Sequence, residues 1–302
     1  MAHGCSKRYL LPMSKNVTKT DDVPKSLAAL PLFRESLKRL FADEAIPLAG
    51  NIAFRTVFSI FPFLIFLTAI AGFFGSAEQA AMAVEFLLQV APEALVRPLA
   101  GEITSILTVP RTDLLSIAAL LTIWSAMAGV DSIRVGLNRA YDLKDTRSAP
   151  RLYGLEVLVV IAAAIFFVGF SFFIVFLPLA LRFAASHGIA IAGSLMLLEQ
   201  LRLMIAVALL LFAVSMAHLF LPARRMPLRT IMPGVLLTVL IWAALSIGFS
   251  YWILRFNSFA STYASLSGLF AAMFFIYLSA LVLIFGGEVN RVIDIVRKRQ
   301  QR

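Results

Sequence analysis

Six long runs of apolar residues divide the chain, and polar segments of differing length separate them. Each run is about twenty residues long, which is the length that an α-helix needs to cross roughly 30 Å of hydrocarbon. The pattern therefore predicts an all-α, polytopic membrane helix bundle with six transmembrane helices. The predicted spans are residues 51–74, 114–134, 154–180, 197–221, 231–254 and 264–287.

The segments outside the spans complete the predicted organisation. Residues 77–90 place Glu78 and Glu85 on one helical face and apolar residues on the other, which predicts an amphipathic helix in the first loop. A basic amphipathic helix is also predicted at 32–47, before the first span, where it would lie on anionic lipid. The predicted domains are a disordered basic tail at 1–31, the membrane domain at 32–292 and a second basic tail at 293–302.

Composition supports the membrane class, and the distribution of charge gives an orientation. Hydrophobic residues make up 60% of the 302 residues and charged residues 15%, whereas an ordinary soluble domain has about half and a quarter. Of the 27 lysines and arginines, 21 lie in the two tails and in the loops on the same side of the six spans; four lie on the other side. Because cytoplasmic segments carry the lysine and arginine excess, both termini are predicted to be cytoplasmic and the first loop exported. This topology accounts for most of the net charge of +10, so nucleic acid is not a predicted partner.

The sequence offers little support for catalysis or for a bound cofactor. Its single cysteine, Cys5, excludes an intrachain disulfide and a thiolate metal site. We find no phosphate-binding glycine loop, no nucleophile motif and no residues at metal-ligand spacing. We therefore predict no metal, no cofactor and no enzymatic activity.

Polar residues within the spans are the main candidates for function, because polar groups in hydrocarbon are costly and usually face a bundle interior or a wet cavity. Arg55 lies about one turn inside the first span and needs an anion; Asp131 and Glu288 end other spans at a similar predicted depth. We expect Arg55 to pair with one of them. Two interpretations stay open, a structural pair or snorkelling side chain and a contact with substrate or ion. The predicted polar cluster is Asn51, Arg55, Ser59, Asp131, Glu288 and Asn290, with a helix break at Pro62.

Several short motifs occur in an order that resembles the YihY/BrkB family of bacterial inner-membrane proteins. The run 51–62 is similar to the opening signature of that family, with Ser59 and Pro62 forming its Ser-x-x-Pro ending. Arg55 departs from the uncharged residue that is common there. The other similar motifs are Trp124–Ser125–Ala126 with Gly129, Asn138–Arg139–Ala140–Tyr141, Leu221–Pro222, Pro233–Gly234 with Trp242, Tyr251, Tyr263–Ala264–Ser265–Leu266 and the closing block Leu283–Asn290.

The resemblance implies a location and leaves several functions open. It implies a multi-pass protein of the bacterial inner membrane with six spans, both termini inside and a periplasmic first loop. Some members carry a ribonuclease label, and others are linked to serum resistance or envelope lipid export. The leading hypothesis is a transporter-like protein that handles an envelope lipid or another small substrate. The alternatives are an envelope scaffold that binds partners and, ranked last, a membrane-bound ribonuclease. The lipid bilayer is the predicted partner, and the sequence leaves a homo-oligomer open.

Overall fold

The structure is a computed structural model that describes residues 28–74, 112–171, 195–256 and 264–301, with seven isolated positions between 78 and 105. The predicted loop helix at 77–90 and most of the tail at 1–31 lie outside the continuous described ranges. Within those ranges all regular secondary structure is helical. The helices are α1 (Ala29–Ala42), α2 (Ala45–Phe74), α3 (Thr112–Ala140), α4 (Ala149–Ser171), α5 (Leu195–Phe220), α6 (Leu228–Phe256) and α7 (Ala264–Gln300).

Six of these helices, α2 to α7, are long and apolar enough to cross a membrane, which confirms the predicted number of spans. In the most apolar stretch of each helix, between 6% and 28% of the residues are buried inside the protein. Most residues of these apolar stretches are therefore not buried inside the protein, far beyond what a soluble monomer tolerates. This is the surface that a bilayer covers.

Several helix boundaries differ from the predicted ones. α1 ends at Ala42 rather than at 47, because Asp43 caps it and Glu44 adopts a positive φ of 58°. α2 continues without interruption through Pro62, so the predicted break there is wrong. Proline removes one backbone donor, and membrane helices tolerate this loss when neighbouring groups satisfy the freed carbonyl. α7 continues to Gln300, so most of the predicted tail at 293–302 belongs to the last helix.

The buried core lies where α1, α2 and α7 meet the end of α3. Ala45, Ala49 and Ile52 present small or branched side chains from α2, and Ile284 and Phe285 meet them from α7. Small residues let helix backbones approach closely, which is how membrane helices associate without a hydrophobic driving force between them. The most extensive pairing in the described chain joins α2 to α3, while α4 packs mainly on α3 and α5 mainly on α6.

The backbones of α6 and α7 come into contact where the two helices cross. A Cβ atom built on Gly286 would overlap the Thr238 hydroxyl and lie 2.9 Å from the Gly234 carbonyl oxygen. A Cβ built on Gly234 would overlap the Gly286 carbonyl and lie 2.6 Å from the Asn290 side chain. Both positions therefore require glycine, because only glycine lets the two backbones touch.

Hydrogen bonds gather several segments at one end of the bundle, which we call the charged end: α1, residues 141–148, residues 221–227 and the last turns of α7. Arg291 binds Asp43 and Asp142, in each case at 2.9 Å, and so joins the α1–α2 corner to the segment that follows α3. Arg147 donates to the Leu221 carbonyl at 2.8 Å and links that segment to residues 221–227. The candidate site lies at this end.

Candidate functional site: an ion-pair network and its cleft

Arg55 is the first member of an ion-pair network that joins α2 to α3. Its Nη1 atom lies 3.2 Å from Asp131 Oδ2 and donates to the Ala128 carbonyl oxygen at 3.0 Å. Ala128 precedes Asp131 by almost one turn, so both acceptors lie on the α3 face that packs against α2. The Arg55 side chain nevertheless keeps 36% of its surface exposed. Arg55 is thus anchored at one nitrogen and still accessible.

The network continues along α3 into the segment that follows it. Arg134, one turn after Asp131, binds the other oxygen of that carboxylate. It also binds Asp145 Oδ2 at 2.5 Å and approaches Glu156 of α4 at 3.8 Å. With Arg147, which binds Asp145 at 2.6 Å, the network holds three arginines and three carboxylates. The formal charges of its members therefore balance.

Asp145 organises the charged end. Its carboxylate accepts hydrogen bonds from the side chains of Arg134, Arg147 and Asn138 and from the Arg147 backbone. The hydrogen bond from the Arg147 side chain is the main reason that the pKa of Asp145 lies well below its usual range. Asn138 in turn accepts from the Ala223 backbone N–H at 2.7 Å. Asp145 therefore fixes the segments 141–148 and 221–227 against α3.

A cleft of about 500 Å³ opens beside the network, between α2, α3 and α4. Arg55 and Asp131 line its wall, together with Glu156. Trp124 and Tyr153 also line it and remain 67% and 61% exposed. The cleft thus combines a partly exposed ion pair with two accessible aromatic rings. It has the volume of a small-molecule pocket and borders the apolar surface of the bundle.

A second, buried polar cluster lies apart from the cleft and joins four helices. The Tyr141 hydroxyl oxygen lies 2.8 Å from Nδ1 of His218 on α5 and accepts a hydrogen bond from Asn290 on α7 at 3.0 Å. Asn290 accepts from the Gly234 backbone N–H of α6 at 2.6 Å. Burial raises the pKa of the Tyr141 hydroxyl, so it stays protonated and can donate. This cluster holds α5, α6 and α7 against the end of α3.

The predicted polar cluster is therefore divided between separate places. Arg55 and Asp131 are brought together at the cleft. Asn290 belongs to the Tyr141 cluster, and Glu288 is fully buried with no direct contact to Arg55. Ser59 donates to the Thr56 carbonyl of its own helix at 2.7 Å, and Asn51 is exposed. Of the two carboxylates considered for Arg55, Asp131 is the partner.

The sequence pattern also left several members of the site unidentified. Glu156 is an acidic residue within the third predicted span, and an intramembrane carboxylate is by itself a signal of function. Arg134 follows Asp131 by three residues, the spacing of neighbours on a helix surface. Asp145 and Arg147 lie in a polar linker where nothing in the pattern distinguishes them. Among the described residues, no three His, Cys, Asp or Glu side chains are grouped as metal ligands.

Comparison with known protein families identifies the family of this chain. The family model described as "Virulence factor BrkB" matches residues 36–302, which include every transmembrane helix and both polar clusters. The chain belongs to the BrkB family. It is therefore a polytopic membrane protein of that family, and the resemblance seen in the short motifs is confirmed.

Two relatives extend the comparison. The "Putative ribonuclease-like protein YfkH" of Bacillus subtilis is 25% identical over 272 residues, which cover 87% of this chain and 95% of YfkH. The "UPF0761 membrane protein Nmul_A0452" of Nitrosospira multiformis is 25% identical over 285 residues, which cover 93% of this chain and 65% of that BrkB relative. No solved structure matches the chain.

Proposed function

We propose that this BrkB protein is a transporter-like protein of the bacterial inner membrane that admits an amphiphile with an anionic headgroup, such as an envelope lipid, to the cleft between α2, α3 and α4. The observation that carries the proposal is the Arg55–Asp131 pair, whose side chains are 36% and 30% exposed in the wall of an open cleft. A partly exposed pair is weak where water reaches it, about 0.2–1 kcal/mol. A phosphate or carboxylate group can therefore replace Asp131 on Arg55 and gain a charge-assisted hydrogen bond.

The surroundings of the cleft suit the apolar part of such a ligand. Trp124 and Tyr153 present amphipathic rings, which favour the boundary between headgroups and acyl chains. Phe54 and Phe58 on α2 stack on each other, and each exposes about half of its surface or more. An acyl chain could lie along this exposed apolar surface while the headgroup contacts Arg55. The proposed substrate class follows from this combination of one accessible cation and aromatic neighbours.

The proposed orientation puts the charged end in the cytoplasm. The basic residues of 141–148, of 221–227 and of the last turns of α7 belong to one end of the bundle, and cationic segments resist translocation. The cleft would then receive its substrate from the cytoplasmic leaflet. Anionic lipids of that leaflet would be attracted by the same basic residues.

We also propose that the chain performs no catalytic step. The ribonuclease-like name belongs to YfkH, and a nuclease here would require an acid–base pair free to act on RNA. The carboxylates that line the cleft are instead occupied: Asp131 is bound by Arg55 and Arg134, and Glu156 is buried beside Arg134. This occupancy favours a binding role over a catalytic one.

The experiment is lipid and metabolite profiling of a strain that lacks the gene, complemented by the wild type, by Arg55→Ala or by Arg224→Ala. Arg55→Ala should fold normally, because its exposed ion pair contributes at most about 1 kcal/mol to stability. We expect it to leave the lipid profile of the deletion strain uncorrected. Arg224 is exposed and lies outside the cleft, so Arg224→Ala should complement like the wild type.

The profiles also define what would contradict the proposal. Full complementation by a well-expressed Arg55→Ala variant would remove Arg55 from the mechanism. A deletion strain whose lipids match the parent, while RNA fragments accumulate or disappear, would favour the nuclease alternative.

A further inference from the structure

Glu288 is the most completely buried acidic side chain that the site described above does not use. It lies on α7, its exposed fraction is 0%, and no hydrogen-bond donor among the described residues reaches either of its oxygens. An ionised carboxylate in such a place would be far more costly than a neutral one. The geometry therefore favours either a proton or a cation on this group.

The neighbours of Glu288 distinguish these two possibilities. The carboxyl group of Asp43, at the α1–α2 corner, lies close enough to interact with it. Asp43 is already the anion of an ion pair with Arg291, at 2.9 Å. Two ionised carboxylates can only accept hydrogen bonds and repel each other. A proton on Glu288 converts the repulsion into an O–H···O hydrogen bond to Asp43.

We propose that Glu288 is a proton-binding site that carries one exchangeable proton at neutral pH and donates it in a hydrogen bond to Asp43. The other groups that face it are Arg39 on α1, Arg291 on α7 and the Tyr141 hydroxyl. Arginine stays charged in proteins, and the buried tyrosine keeps its proton, so Glu288 is the group of this junction that can gain or lose a proton. The proposal is independent of the function of the cleft.

The position of the proton has a structural consequence. Asp43 belongs to the corner between α1 and α2, whereas Glu288 belongs to α7, so the shared proton holds the corner against the last helix. Loss of the proton would place two adjacent carboxylates in the core and push the corner away from α7. Protonation thus sets how tightly α1 docks on the bundle, and a raised pH should loosen it.

Infrared spectroscopy of the full-length protein in lipid nanodiscs tests the proposal directly. At neutral pH we expect the wild type to show the C=O stretching band of a protonated, buried carboxylic acid, and Glu288→Gln to lose it. Asp43→Asn should move the band, because the acceptor of the O–H group changes. Glu44→Gln is the matched control, since its side chain is 69% exposed beside Asp43, and it should keep the band unchanged.

Thermal unfolding gives a second readout that does not depend on assigning the band. Glutamine mimics the neutral acid, so Glu288→Gln should melt at about the same temperature from neutral to alkaline pH, while the wild type melts at lower temperature as the pH rises. A wild type without the band, or a band that survives in Glu288→Gln, would overturn the proposal. So would Na⁺ or K⁺ raising the melting temperature of the wild type but not of Glu288→Gln, because the group would then hold a cation.

Discussion

Gly286→Ala is expected to destabilise the protein by about 3 kcal/mol or more, near the upper end of what overpacked side chains cost. The new methyl group would overlap the Thr238 hydroxyl and press against the backbone of α6 at Gly234. Neither neighbour is the flexible end of a long side chain, so α6 and α7 must separate to make room. The separation would also strain the hydrogen bond from Gly234 to Asn290, which the buried Tyr141 cluster needs.

Thermal unfolding in detergent, with Gly268→Ala as the control, measures this effect. Gly268 lies on the same helix, but a Cβ atom there would meet nothing within 4 Å. That substitution should be neutral or stabilise the helix by about 0.5–1 kcal/mol, because alanine loses less backbone entropy than glycine. If both variants melt together with the wild type, α6 and α7 do not cross at these glycines.

Asp145→Ala is expected to be the most damaging change in the ion-pair network, at about 3–5 kcal/mol. The carboxylate is 13% exposed and is shared by Arg134 and Arg147, which are themselves 11% and 23% exposed. Its removal leaves two largely buried guanidinium groups without their common anion and frees residues 141–148 from α3. Asp145→Asn keeps the shape and some hydrogen bonds but not the charge, so it should fall between the wild type and alanine.

The dependence on pH gives the same prediction a second test. The pKa of Asp145 is lowered in the folded protein, so its contribution to stability is fully present above the unfolded value of about 3.9. The contribution is lost as the pH falls through the folded value. Acidification should therefore destabilise the wild type more steeply than Asp145→Ala.

Glu44→Ala is the control for Asp145→Ala, because it removes an exposed carboxylate and should change stability by about 1 kcal/mol at most. Equal losses of stability in Glu44→Ala and Asp145→Ala would contradict the network.

The sequence predicts the spans well because lipid imposes one simple requirement, an apolar segment of sufficient length. It also indicates Asp131 and Glu288 as the two possible partners of Arg55, since their depths follow from the predicted spans. It could not choose between Asp131 and Glu288, because depth says nothing about how each helix is rotated or which helices are neighbours. That information lies in packing, in the alanines of α2 and in the glycine contact between α6 and α7.

Other residues of the site were not predicted from the sequence, because their signals are local and weak. Glu156 is one acidic residue in a long apolar run, and the run alone predicts only a span. Asp145 and Arg147 lie in a polar linker of ordinary composition, and only the fold brings Arg134, Asn138 and the Leu221 carbonyl to them. At Pro62 the sequence predicted a helix break that the structure does not have. The prediction applied a rule for helices in water, whereas a proline is tolerated inside a membrane helix when neighbouring groups satisfy the freed backbone carbonyl.

The central claim, that the cleft handles an anionic amphiphile through Arg55, is tested most directly by transport in proteoliposomes. The vesicles would contain phosphatidylethanolamine and phosphatidylglycerol, with a fluorescent phosphatidylglycerol as the probe. We predict that the wild type moves the probe across the bilayer and that Arg224→Ala keeps the wild-type rate. Arg55→Ala should be slower by about tenfold or more, which corresponds to the loss of a charge-assisted hydrogen bond of about 1.5–3 kcal/mol. A wild type no faster than empty vesicles, or a folded Arg55→Ala at the wild-type rate, would contradict the account.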